Sequence, residues 1–319
     1  MPSDLFLAMA NFLITTANTL QEGTSTSDTF YFNTARGISL RGADGADTLT
    51  AGTANLTAVN ALLAGNAGND TINLLSSFNV NQGSIYGGAG NDVISASEFS
   101  AVDTTMQGGG GNDTIGLNSA DFTRGNLGLN AGADLLSSNT TAIFNSAVVA
   151  FGAGADTMTA AWVSSVGSTL NGGGGADTIN IDDGSLVGGQ VNGDQLSDNT
   201  FFGNDTITIS ANGLHSATTI NGGYGNDVLS ASFTAGNKGT FATGFINGNV
   251  GADDIDIIGI GSGGNAIAGS AFVGGGAGND TIDVSVASGG ASWGTLMGGG
   301  GNDTITYSAA AVSNDFASA

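Results

Sequence analysis

Apolar and polar positions alternate around one recurring aspartate. Two residues after it stands Ile, Leu or Met in every copy, as at Ile72, Ile94, Ile115, Ile179, Ile207 and Ile282. Four after it the residue is small or apolar (Leu74, Ala96, Leu117, Ile181, Ile209, Val284), and the positions between are mostly Thr, Ser, Asn or Asp. Period two with one apolar face predicts a half-buried strand. A second strand leads in, because the residue seven before the Asp is apolar in eleven of twelve copies: Leu40, Leu63, Ile85, Met106, Leu127, Val149, Leu170, Ile220, Ile246, Val273 and Leu296. Asp198 is the exception, in the longest copy.

Between the two strands lies a glycine-rich turn, written out fully as Gly108-Gly109-Gly110-Gly111-Asn112-Asp113-Thr114-Ile115. The form Gly-Gly-x-Gly-x-Asp-x-apolar returns intact with its Asp at Asp92, Asp177, Asp227, Asp280 and Asp303, and degraded at Asp47, Asp70, Asp134, Asp156, Asp205 and Asp253. The Gly two before the Asp is present in all twelve copies: Gly45, Gly68, Gly90, Gly111, Gly132, Gly154, Gly175, Gly203, Gly225, Gly251, Gly278 and Gly301. From Asp47 the intervals are 23, 22, 21, 21, 22, 21, 28, 22, 26, 27 and 23 residues. A fixed period means a solenoid that grows by adding coils, which overrides the two domains that 319 residues suggest.

Each coil therefore reads as strand, glycine loop, strand, and a looser return of roughly ten residues. The return often carries an aromatic, such as Phe78, Phe99, Phe122, Phe144, Trp162 or Phe233, expected to fill the far end of the core. The predicted fold is all-β: a right-handed parallel β-roll or β-solenoid of about 12 coils of ~22 residues, with its ion-binding loops along one edge. Residues 1–40 are expected to cap the first coil, 41–307 to form the solenoid, and 308–319 to be a tail. Ser27-Asp28-Thr29-Phe30 looks like an eroded thirteenth copy. The three longest intervals are read as insertions at the far edge. Leu5–Ala10 fails as a secretory signal because Asp4, not a basic residue, precedes a short apolar run. No stretch approaches the ~18–20 apolar residues of a membrane-spanning helix.

Composition narrows the chemistry. There are 56 Gly, one Pro and no Cys, with 27 acidic against 4 basic residues and a net charge of −23. The glycines cluster instead of falling at every third position, which excludes collagen. The 40% of apolar residues sit at fixed offsets, which argues against disorder. So acidic a chain is a poor partner for nucleic acid or an anionic membrane and a good one for cations. Without cysteine, any metal must be held by oxygen.

The loop glycines allow positive φ, so carbonyl oxygens can turn toward one spot. The candidate loop residues are Gly87, Gly88 and Gly90; Gly108, Gly109 and Gly111; Gly172, Gly173 and Gly175; Gly222, Gly223 and Gly225; Gly275, Gly276 and Gly278; Gly298, Gly299 and Gly301. The candidate side-chain ligands are Asp47, Asp70, Asp92, Asp113, Asp134, Asp156, Asp177, Asp205, Asp227, Asp253, Asp280 and Asp303. A carboxylate among carbonyls suits Ca²⁺ better than Mg²⁺, which demands near-octahedral geometry and keeps its water. The competing reading is a turn-capping Asp without metal. A column of uncompensated carboxylates about 5 Å apart would repel, which favours the metal.

On these motifs residues 36–307 resemble the RTX (repeats-in-toxin) proteins and their calcium-binding parallel β-roll. The resemblance implies ions held between an Asp carboxylate of one coil and main-chain carbonyls of its neighbour. It departs in one respect: this chain has one motif per coil, where the usual roll has two and binds on both edges. Twelve stacked loops leave up to about eleven gaps, and eleven Ca²⁺ would bring about +22 against the formal −23. Leu129-Asn130, Phe151 and Thr200-Phe201 replace leading glycines before Asp134, Asp156 and Asp205, and are expected to leave weak or empty gaps. Asn66 and Asn249 are milder changes, since Asn tolerates positive φ.

No catalytic constellation is present in the sequence. His215 is the single histidine, and neither a Gly-x-Ser-x-Gly elbow nor a His-Glu-x-x-His helix occurs. The extra acids Asp182, Asp183, Asp194, Asp198, Asp254 and Asp256 are read as a second ion site or a solvated face, against a carboxylate pair for hydrolysis. The expected role is a non-enzymatic, calcium-rigidified structural protein at the cell surface or outside it, and the RTX resemblance implies export by a type I route. It would self-associate through its ends or faces as a surface layer, filament or adhesive appendage. Two alternatives stand beside it: a virion fibre, whisker or decoration, and an ice-binding solenoid, the latter opposed by Ala67, Ala89 and Gly110 at the third loop position and by Val93, Gly116, Leu135, Val228 and Asp254 on the strand face.

Overall fold

The computed structural model describes residues 11–16, 20–32, 37–51, 57–75, 78–182, 185–194, 202–211, 215–234, 241–260, 271–286 and 294–309. Leu5–Ala10, Asp183, Asp198, Thr200, Phe201 and residues 310–319 lie outside them, as do the side chains of Trp162, His215 and Phe233. The chain divides into two compact units, Met1–Ser137 and Ser138–Ala319. Each is a parallel β-solenoid, and no helix occurs among the described residues.

In the first unit the lead-in strands Ser39–Asp44, Leu62–Ala67, Ser84–Ala89, Thr105–Gly110 and Asn126–Ala131 pair in parallel, each with the next. Their register stacks Leu40, Leu63, Ile85, Met106 and Leu127 in one column. The strands after the loop stack Phe30, Leu49, Ile72, Ile94, Ile115 and Leu136 in another. All of these side chains are buried. The second unit repeats the plan with Val149, Leu170, Val191, Ile220, Ile246, Val273 and Leu296 in the lead-in column. Parallel pairing at the ~4.8 Å strand spacing puts like above like, so one apolar position per strand builds a continuous core.

The return is more ordered than the sequence suggests. It holds a third, short strand: Thr57–Val59, Asn79–Asn81, Ser100–Val102 and Ala120–Thr123 in the first unit, Ser185–Val187 in the second. These stack Ala58, Val80, Ala101 and Phe122. The corners beside them are left-handed residues with side chains: Gln82, Glu98, Asp103, Ser119 and Arg124 have φ of 56°, 50°, 51°, 52° and 52°. Each left-handed residue costs about 1–2 kcal/mol. The N–H groups of Gln82, Glu98 and Asp103 bond to the next coil at 2.9, 2.7 and 3.0 Å, which offsets that cost. Phe78, Phe99 and Phe122 are buried behind these corners as expected, with Phe99 and Phe122 ring centroids 5.6 Å apart.

Two of the three long intervals keep the ordinary register of strand and loop, their extra residues falling in sequence between Thr234 and Phe241 and between Ile260 and Ala271. The third does not, and corrects the reading of that coil. Leu170 pairs with Val191 and Gly173 with Asp194, so Val191 fills the apolar position assigned to Asp198. Gly193 and Asp194 are thus the leading loop residues, not Thr200 and Phe201. The loop resumes at Gly203, where an added Cβ would collide with the Gly175 carbonyl of the preceding coil. By sequence the extra residues fall between Asp194 and Gly203, within the glycine loop.

The third and fourth loop positions make a direct test of this geometry. Gly111 has φ of 122° and a Cβ there would strike the Gly90 carbonyl, whereas Gly110 has nothing within 4 Å. Gly111→Ala should lower the urea midpoint of the calcium-loaded chain by more than about 1 kcal/mol equivalent. Gly110→Ala should leave it unchanged, as Ala67 and Ala89 at the same position suggest.

Candidate metal centre

The glycine loops place the recurring Asp side chains in a single file within each unit. In the first, the N–H of Asp28, Asp47, Asp70, Asp92 and Asp113 donates to Oδ1 of the next Asp at 2.7–2.8 Å. In the second, Asp156, Asp177, Asp205, Asp227, Asp253 and Asp280 donate onward at 2.8–3.1 Å, ending at Asp303. Each carboxylate is held by one oxygen, and the direction is the same throughout.

The other oxygen is the chemically significant one. Oδ2 of Asp47, Asp70, Asp92, Asp113, Asp177, Asp205, Asp227, Asp253 and Asp280 is buried and has no hydrogen-bond partner. At Gly87 an added Cβ would lie 2.5 Å from Asp92 Oδ2 and 2.5 Å from the Gly108 carbonyl oxygen of the following coil. The same pair of oxygens, Asp Oδ2 and the next coil's first loop carbonyl, meets at Gly42, Gly65, Gly172, Gly193, Gly222, Gly248 and Gly275. Two acceptors from neighbouring coils thus converge with no donor between them, at a place only glycine leaves open. A buried carboxylate oxygen in such company needs a proton or a cation. Carboxylate and carbonyl oxygen together are a donor set for Ca²⁺. Among the described residues no three His, Asp or Glu side chains gather at one point, so the main chain must supply the remaining ligands.

The electrostatics follow from this burial. Desolvation raises Asp70, Asp113, Asp177 and Asp227 to about 7, Asp205 to about 8 and Asp253 to about 6. The donated N–H opposes the rise in each case, and neighbouring carboxylates add to it. Asp47 and Asp92 rise for the same leading cause.

The expected loop glycines divide into two roles. Gly87, Gly108, Gly172, Gly222, Gly275 and Gly298 lie against Oδ2 of their own Asp. Gly88, Gly109, Gly173, Gly223, Gly276 and Gly299, with Gly90, Gly111, Gly175, Gly225, Gly278 and Gly301, adopt φ between 109° and 154°. Asn66, Asn130 and Asn249 take the second loop position at φ of 79°, 79° and 76°. Leu129 and Phe151 are buried where the other loops leave an open glycine, beside Asp134 and Asp156.

Two further acids stand on this edge outside the twelve motif copies. Asp28 belongs to the file, and its Oδ2 accepts the Thr24 N–H and hydroxyl at 2.5 and 3.0 Å, so the chain itself satisfies that carboxylate. Asp194 is fully buried on the same edge, its Oδ2 accepting the Tyr224 N–H at 2.7 Å. A repeated apolar-Asn-Gly triplet could have located it: Leu170-Asn171-Gly172, Val191-Asn192-Gly193, Ile220-Asn221-Gly222 and Ile246-Asn247-Gly248. The Asn side chains of the first three form their own ladder at 2.6 and 2.7 Å. The remaining extra acids stand elsewhere: Asp182 and Asp254 are exposed on the strand face, and Asp256 is paired in register with Asp283. Burial and the charges of Asp254 and Asp283 raise Asp256.

A family model described as the RTX calcium-binding nonapeptide repeat (4 copies) matches residues 60–75, 84–99, 103–126, 217–233, 272–285 and 288–306. Those segments enclose Asp70, Asp92, Asp113, Asp227, Asp280 and Asp303. No curated protein and no solved structure matches the chain.

Without metal, raised carboxyl groups set the pH dependence. The folded chain holds protons that the unfolded chain releases above about pH 4, so stability is fully present below that value. It is then lost as pH rises through the folded values of about 6 to 8. Thermal melts of the metal-free protein should show a midpoint that falls steadily from pH 5 to pH 8.5; a rising midpoint would refute this account.

Proposed function

We propose that the chain, whose repeats and parallel coils fit an RTX calcium-binding β-roll, is a non-enzymatic structural protein whose coils are locked by Ca²⁺. RTX repeats bind Ca²⁺ and are typical of secreted or extracellular proteins. The observation that carries the reading is the repeated convergence of a partnerless Asp Oδ2 with a glycine carbonyl of the next coil. The side-chain ligands are the file from Asp47 to Asp303, and the backbone ligands come from the glycine loops. No helix among the described residues is long and apolar enough to cross a membrane, which says nothing of strand-built barrels.

Calcium supplies positive charge where the buried file has none. These residues do the rest: the Asp N–H ladder orients each carboxylate, the glycines admit it, and the apolar columns keep the loops in register. A glycine-rich coil loses much chain entropy on ordering, so ion binding and folding are coupled. The protein is then loose where free Ca²⁺ is scarce and rigid outside the cell where it is abundant. The leading use for such a rigid coil stack is a surface layer, filament or adhesive appendage. An ice-binding role is disfavoured by the strand face, where Val93, Leu135 and Val228 stand exposed among the polar rows.

Assembly with a second copy is part of this reading. In the last described coil Ile305 is 44% and Met297 45% exposed, whereas Ile282, one coil earlier in the same column, is 0%. That apolar edge is a ready template for another chain's coil.

Two measurements follow. Excess EGTA at pH 8 should remove most of the far-UV β signal of the purified chain, and Ca²⁺ should restore it while Mg²⁺ at the same concentration does not. An unchanged spectrum in EGTA would end the calcium reading. Light scattering in millimolar Ca²⁺ should give masses at multiples of 31.0 kDa, and a strictly monomeric species would remove self-association from the proposal.

A further inference from the structure

The file of half-sites has one step unlike the others. In ordinary coils the carbonyl oxygen of the second loop residue lies over the second loop residue of the next coil: Gly88 over Gly109, Gly152 over Gly173, Asn249 over Gly276, Gly276 over Gly299. At Gly223 that place is taken by a side chain. An added Cβ there would lie 2.6 Å from both Cβ and Oδ2 of Asp194. Asp194 Oδ2 accepts the Tyr224 N–H, while its Oδ1 has no hydrogen-bond partner, and the residue is 0% exposed.

The ordinary elements of a site are present at the same step. Asp205 Oδ2 is buried without a partner and converges with the Gly222 carbonyl at Gly193. Asp194 therefore stands in the loop of Asp205, facing the coil of Asp227, where other steps offer only a backbone carbonyl. Its charge is among those that raise Asp177, Asp205 and Asp227, which places it electrostatically among three members of the file. An isolated second carboxylate would be costly to bury among three others; a bound divalent ion reverses that cost.

We infer that the step between the Asp205 and Asp227 coils is a two-carboxylate calcium site, with Asp194 and Asp205 both contributing, and that it fills first. Calcium affinity rises with the number of charged ligands, so this step binds at free Ca²⁺ about tenfold lower than the steps without this added carboxylate. It then orders the two coils that flank it and raises the affinity of the steps on either side.

The inference rests on the calcium reading above, and the test separates the two. Full-length protein would be titrated with Ca²⁺ against a competing chelator, alongside Asp194→Gly, Asp194→Asn and Asp253→Asn. Asp194→Gly returns the loop to the residue found in its neighbours, Gly173 and Gly223, and the calcium-loaded circular dichroism of each variant reports folding. The wild type and Asp253→Asn should show one tight class that fills about tenfold earlier than the rest. Both Asp194 variants should lose that class while still binding Ca²⁺ at the remaining steps. An Asp194→Gly titration that overlays the wild type would overturn the two-carboxylate site and leave the general reading standing. Absence of calcium binding in every form would overturn both.

Discussion

Eight steps among the described residues bring together two oxygen atoms that repel each other and have nothing between them. One is the Oδ2 of a buried aspartate and the other a main-chain carbonyl of the next coil. Elsewhere a hydrogen bond would resolve such a contact, but here the nearest donor, the Asp N–H of the preceding coil, is already spent on Oδ1. The fold reproduces this unresolved pair at each of those steps, and the apolar columns hold it in place. Interior packing and the unsatisfied edge are therefore two halves of one design. The first sets the coil spacing, and the second makes the stack depend on charge supplied from outside.

The edge also explains the composition. A net charge of −23 would be an obstacle to folding if spread through a core, yet most of the file is concentrated where one kind of ligand can neutralise it. Glycine is needed at the first loop position for space and at the second and fourth for backbone direction. Where those demands relax, the sequence relaxes too: Ala and Gly alternate freely at the third position, and Asn replaces Gly at the second. Thr24 shows that a hydroxyl can do the work of an ion when one carboxylate must be satisfied by the chain alone.

Much of this was legible in the residues. The strand flanks, the apolar columns and the aspartate file follow from a period-two pattern pinned to one Asp, and buried Phe78, Phe99 and Phe122 follow from their place in the return. Two features were not legible, for different physical reasons. The third strand is only three or four residues long, and its corners are turned by Glu98, Asp103, Ser119 and Arg124. Glu98 and Asp103 reach left-handed φ because their N–H groups bond to the next coil, a tertiary effect that local propensity does not register. Asp194 was hidden by arithmetic: seven inserted residues separate it from Gly203, and counting back from Asp205 arrives at Thr200 and Phe201 instead. Counting forward from the Val191-Asn192-Gly193 triplet reaches it directly.

The hydrogen bonds along the file all run one way. Each aspartate is oriented by the coil before it and meets a carbonyl from the coil after it. Most coils thus present a like plug on one side and a like socket on the other, with Leu129, Phe151 and Asp194 marking the exceptions. Removing a whole coil would join a plug to an equivalent socket, and adding one would extend the series without a new kind of joint. Length in such a protein is a quantity that can drift by entire turns while every remaining site keeps its geometry. The natural unit of change here is the coil of about 22 residues, and the variable returns are free to diverge around it.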